Sequence, residues 1–221
     1  MQREVKLFSG LKQPSIYFYQ LKETERLIGL QKRIFFLLFT SAIVFGLVSS
    51  LGIGMDSLST EITKLSPIQY EMEKFIFFLG RIISGILYGA AILFLPALLF
   101  WLISDLGEYK QLVVIQCIVL IISLLEYLTL IPLSLFFSLD WFSSPLSLGV
   151  IAQYITSNTW VIYFLGCFSL FKIWIFYIQY KGLKRLTEQK NWIIWGIILL
   201  VNVIQWAITA LLAYLNFLSL L

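Results

Sequence analysis

Histidine is absent from this chain of 221 residues, and charge of either kind is scarce at 13% of positions. Without an imidazole there is no Ser-His-Asp triad, no His-ligated zinc and no haem held by histidine. Acidic residues number only twelve. Asp105 and Asp140 flank the two ends of one apolar run. A continuous helix would hold them about 50 Å apart, too far to share a proton as an aspartyl protease requires. No Gly-x-x-x-x-Gly-Lys-Ser/Thr loop is present to cradle phosphates. The only cysteines, Cys117 and Cys167, lie inside apolar runs and read as small buried side chains. Their spacing suggests neither a disulfide framework nor a metal site. The sequence therefore carries no catalytic residue, no metal ligand and no cofactor motif, and an enzyme is not expected.

What fills the chain instead is apolar: 60% of residues, against a charged share well below the roughly 25% of soluble domains. Too few polar residues remain to cover a soluble fold. The apolar residues fall in runs near the 20 residues that cross a bilayer as a helix, satisfying every backbone group within the segment. The runs do not alternate as barrel strands do. The expected fold is all-α, a polytopic integral membrane bundle of about five helices. The expected spans are residues 34–51, 75–103, 111–138, 160–180 and 192–218. Residues 1–33 form an N-terminal arm and 34–221 the transmembrane domain. No cleavable signal peptide is expected, because the first apolar run starts only at Ile34.

Basic residues give the direction. Arg3, Lys6, Lys12, Lys22, Arg26, Lys32 and Arg33 in the arm, Lys110, and Lys181, Lys184, Arg185 and Lys190 share one side if there are five spans. Only Lys64 and Lys74 oppose them. The arm is therefore expected in the cytoplasm and the C-terminus outside. The net charge of +4 follows from these clusters, which suit anionic lipid and make no case for nucleic acid. In the arm, Tyr17, Leu21 and Ile28 can share a face of an amphipathic helix over residues 16–30, lying on the membrane or docking a partner. Residues 56–74, with Pro67, read as a loop. Residues 140–158, with Trp141, Pro145 and Tyr154, read as an interfacial cover.

Three ionisable residues fall within spans, where charge is costly and faces the bundle interior or water. Arg81 lies about two turns from the outer end of span two and is expected to snorkel. Glu126 and Lys172 lie at matching depths on adjacent antiparallel spans and are expected to pair, either as a structural ion pair or as a relay. Polar stripes recur at helical spacing: Gln116, Ser123 and Glu126 on span three, and Asn202, Gln205, Thr209 and Asn216 on span five. Small residues Ala42, Gly46, Ser50 and Gly54 line span one, and span two carries Gly85-x-x-x-Gly89. Such faces let helices approach closely, within the bundle or between molecules.

Several stretches, in order, resemble the Yip family, five-span membrane proteins named for interaction with Ypt/Rab GTPases. They are Leu11, Pro14, Phe18 and Leu21 before span one; Gly107-Glu108-Tyr109-Lys110-Gln111 leading into span three; Pro132; and Leu170-Phe171-Lys172-Ile173-Trp174 followed by Gly182. Ser169 stands where many relatives have an acidic residue. The long soluble N-terminal region of eukaryotic members is missing, so the resemblance is to the bacterial type. It implies a non-enzymatic protein of the bacterial cytoplasmic membrane. The function expected is that of a multi-pass adaptor or assembly factor. Its partners would be membrane lipid and other integral membrane proteins or itself, a transporter complex among them, and no small-molecule substrate. The alternatives are a small permease or channel using Glu126 and Lys172, and a membrane-shaping protein acting through the arm.

Overall fold

The computed structural model describes residues 2–24, 26–54, 66–103 and 108–215. Asp56, Lys64, Asp105, Gly107 and Asn216 lie outside the described residues. Nine α-helices and one short two-stranded sheet are present among them. Four helices are long and apolar enough to cross a membrane, and the chain is an integral membrane protein built as an all-α bundle. These four are α3 (Leu30–Ser50), α4 (Pro67–Ile103), α5 (Tyr109–Phe137) and α9 (Asn191–Tyr214).

The arm is not one amphipathic helix. It holds β1 (Gln2–Glu4), α1 (Leu7–Lys12), α2 (Pro14–Lys22) and β2 (Arg26–Ile28). β1 and β2 pair in parallel, Arg3 opposite Leu27. Gly29 then takes φ +80° and turns the strand into α3, a conformation that glycine adopts without strain. Tyr17 and Leu21 share a buried face as expected, joined by Phe18, whereas Ile28 is half-exposed on the strand. The arm does not simply lie on the membrane: α2 packs against the end of the bundle. Gln111 Nε2 donates to the Leu21 carbonyl at 3.2 Å, and Lys22 pairs with Glu188 at 3.8 Å.

α5 is the axis of the bundle. From Gln111 to Leu124 every residue but Ile121 is buried, against the arm, α3, α4 and α8 (Leu170–Leu186). Burying a large aliphatic side chain contributes about 1.5–3 kcal/mol in water. In lipid the gain comes instead from close packing. Small residues provide it between α3 and α4. A Cβ on Gly85 would stand 2.8 Å from the Ser41 carbonyl oxygen, and one on Gly46 would stand 3.3 Å from Ile82. Gly89 rests on Leu38 and Ser41, and the Ser41 hydroxyl donates to the Gly85 carbonyl at 2.6 Å. Ser50 does not join this seam; it is exposed and bonds to Leu47 of its own helix.

α4 starts earlier than expected. Residues 67–74, read as loop, are its first two turns, because Ser66 and Gln69 form a capping box ahead of Pro67. Ser66 N–H donates to Gln69 Oε1 at 3.0 Å, and Gln69 N–H donates to Ser66 Oγ at 3.4 Å. Pro at the first helical position loses no hydrogen bond.

The fourth expected span departs most from expectation. Residues 160–180 are not one helix. α7 (Thr159–Gly166) and α8 are separated by Cys167, Phe168 and Ser169. Residues 140–158 are not a flat cover either. A 3-10 turn (Trp141–Ser143) and α6 (Gly149–Ile155) fold back against that break. Ser147 and Ser169 form an antiparallel bridge. Leu148 N–H donates to the Phe168 carbonyl at 2.9 Å, and Leu170 N–H donates to the Leu146 carbonyl at 3.0 Å. The backbone groups that the break frees are thus paired inside the protein, as backbone at membrane depth must be.

Candidate functional site: a charge pair at a broken helix

Glu126 projects from α5 toward α8, about 16 Å from the Phe137 end of its helix at 1.5 Å per residue. Three turns earlier on the same face, Ile115 meets Gly182 of α8. The two helices run antiparallel, so Glu126 falls level with the start of α8. There Lys172 Nζ donates to Glu126 Oε2 at 2.7 Å, and Ser169 Oγ donates to Glu126 Oε1 at 2.5 Å. The Glu126 and Lys172 side chains are 19% and 15% exposed, so the pair is largely withdrawn from the surface. The expected pairing is what the structure contains.

Ser169 adds what the sequence did not. It is the N-cap of α8, yet its hydroxyl makes no capping bond and instead serves Glu126. A carboxylate beside the start of α8 complements the partial positive charge of that helix end. Tyr88 of α4 and Cys167 of the break also lie near Glu126, with Ser123 one turn away on α5. Aromatic rings close both flanks. Trp206 of α9 stands 5.3 Å from Phe168 and 5.9 Å from Phe176. Tyr127 stacks on Phe45 at 4.4 Å. No family model, curated protein or solved structure matches the chain.

The other polar residues separate into distinct places. Arg81 donates to the Ile53 carbonyl, beyond the end of α3, at 3.4 Å and lies over Phe77, while its Nε is buried and has no hydrogen-bond partner among the described residues. It does not reach Glu126. Asn202 is buried and donates to Gln179 Oε1 on α8 at 2.8 Å. The sequence reading missed Gln179, although it stands seven residues after Lys172 and so nearly on the same helical face. Gln205 and Thr209 stay local, the Thr209 hydroxyl donating to the Gln205 carbonyl at 2.9 Å. Gln116 is fully buried, and among the described residues neither its amide oxygen nor its nitrogen has a hydrogen-bond partner. Among the described residues no group of three or more Cys, Asp or Glu is placed to hold a metal ion. Chemically, the Glu126 cluster can hold one charge pair in low dielectric and fix two helices and a returning loop in register.

Proposed function

We propose that the chain is a non-catalytic membrane adaptor or assembly factor that binds other integral membrane proteins through the overhanging end of α4. One observation carries this reading. The contacts of Gly46 with Ile82 and Phe78 put the end of α3 level with about residue 77 of α4, so the first ten residues of α4 run past it. On that overhang Ile68, Met72, Phe75 and Ile76 are 60–80% exposed. They recur every three to four residues and form one apolar stripe, while Glu71, Glu73 and Lys74 take other faces. Such a stripe suits an apolar groove or helix on a partner. The small-residue seams are used within the bundle, and the buried face of α2 packs against the bundle's end, which leaves exposed apolar stripes such as this one for a partner. The likeness to the Yip family agrees with a non-enzymatic role of this kind.

A photoreactive residue at Met72 or Ile76, in native membranes, tests the proposal against the same probe at lipid-facing Phe36. Discrete protein adducts at 72 and 76, absent at 36 and lost on Phe75→Lys, are expected. Identical lipid adducts at all three positions would refute it.

The broken fourth crossing favours a second reading, a small permease using Glu126 and Lys172, because transporters place sites at interrupted helices near mid-depth. Against it, Leu112, Ile115, Ile118 and Leu120 seal the arm half of α5. Ion flux through purified protein in vesicles, abolished by Glu126→Gln, would establish this reading; equal leak from protein and empty vesicles would dismiss it.

A further inference from the structure

Where the arm meets the last turn of α8, a groove of about 540 Å³ opens between α2 and α8. Ser15, Ile16, Tyr19, Gln20 and Glu23 line it from the arm, and Arg185 lines it from α8. Arg185 is exposed and makes no ion pair among the described residues. Opposite it, the neighbouring Glu23 carboxylate holds the pKa of the Tyr19 hydroxyl above its ordinary value. The groove therefore presents one cation and one carboxylate, beside hydroxyl and amide groups.

The ridge that leads to the groove has a graded chemistry. Ile173, Tyr177, Lys181 and Arg185 recur every four residues, each about 40° further round, and so form a ridge that winds about 120° around α8. Ile173 and Tyr177 are 55% and 46% exposed, and Lys181 lies over the Tyr177 ring. From Ile173 to Arg185 the ridge rises about 18 Å, close to the depth of one leaflet's hydrocarbon, about half of 30 Å. Apolar, then aromatic, then basic is the order a phospholipid presents from chain to headgroup. A site for acidic headgroups would offer cations alone. Here Glu23 adds a place for an ammonium that can donate hydrogen bonds.

We propose that this groove binds a phosphatidylethanolamine-type aminophospholipid, with its phosphate on Arg185, its primary ammonium on Glu23 and an acyl chain along Tyr177 and Ile173. A choline headgroup has no N–H to give Glu23, and an uncharged glycerol headgroup has no cation for it.

The test uses the full chain in detergent with equimolar ethanolamine, choline and glycerol phospholipids of matched chains, read by native mass spectrometry. One retained ethanolamine lipid, favoured several-fold over both others, is expected. Glu23→Gln should remove the preference, and Arg185→Gln should lower retention of all three. Equal retention of ethanolamine and choline lipids, or a preference unchanged in both variants, would overturn the proposal. A photoactivatable phosphatidylethanolamine gives a reading that needs no variant. With the photoreactive group on the acyl chain, labelling of the wild-type chain at Tyr177 or Ile173 is expected, and labelling confined to other surfaces would overturn it.

Discussion

Glu126 and Lys172 place opposite charges 2.7 Å apart, at a depth where a lone charge is strongly disfavoured. Their attraction offsets part of the desolvation cost only while both are present. Breaking such a pair costs about 3–5 kcal/mol in soluble proteins, whereas replacing both partners can be nearly neutral; snorkelling and water defects reduce the cost in membranes. Glu126→Gln or Lys172→Met alone should therefore lower the thermal unfolding midpoint in detergent more than the double variant does. Single losses that simply add would show that the two charges are not coupled. This pair was legible from the sequence because two charges at matched depth on neighbouring spans have few other ways to be satisfied. Ser169 was not, since a serine in an apolar run gives no sign of which hydrogen bond it will make. Gln179 left a trace in its spacing from Lys172, but its partner Asn202 is set by how α8 and α9 pack.

At the scale of elements, long apolar runs placed α3, α4, α5 and α9 well, because hydropathy and length alone determine such helices. The break between α7 and α8 was illegible. Residues 163–171 stay apolar without proline, and the interruption comes from tertiary pairing with a segment that looks like an interfacial loop. Gly149 and Gly166 both pack against the backbone of Phe142, which lets the returning segment approach so closely. The bridge between Ser147 and Ser169 lies between two flanking hydrogen bonds, the close, non-hydrogen-bonded kind of antiparallel pair with Cα atoms about 4.5 Å apart. With Cys117 and Cys167 changed to Ala, Ser147→Cys with Ser169→Cys should form a disulfide on mild oxidation, read by a gel shift that reductant reverses. A thiol pair that stays free under oxidation would mean that the fourth crossing is a continuous helix with the loop lying elsewhere. The arm strands were likewise unreadable: three residues such as Arg26–Ile28 become a strand only because residues 2–4 lie beside them.

At the scale of the molecule, α3, α4, α5 and α9 are the four helices long and apolar enough to cross a membrane, and five crossings require α7 and α8 together to make one more. The 37 residues of α4 extend about 55 Å, beyond the roughly 30 Å hydrocarbon core, which is why one end runs past the end of α3. The contact of α2 with α8 and the Lys22–Glu188 pair put the arm and the α8–α9 connection on one face. If α7 and α8 together cross, Asn158, which caps α7, belongs to the other. The most direct test of this architecture is single-cysteine labelling with a membrane-impermeant maleimide, in sealed vesicles of one orientation, at Glu23→Cys, Gln189→Cys and Asn158→Cys in a cysteine-free background. Positions 23 and 189 should behave alike and 158 oppositely, with the difference abolished when the vesicles are opened. Equal labelling of 158 and 189 in sealed vesicles would show that α7 and α8 do not cross the membrane, and the five-crossing bundle would be wrong.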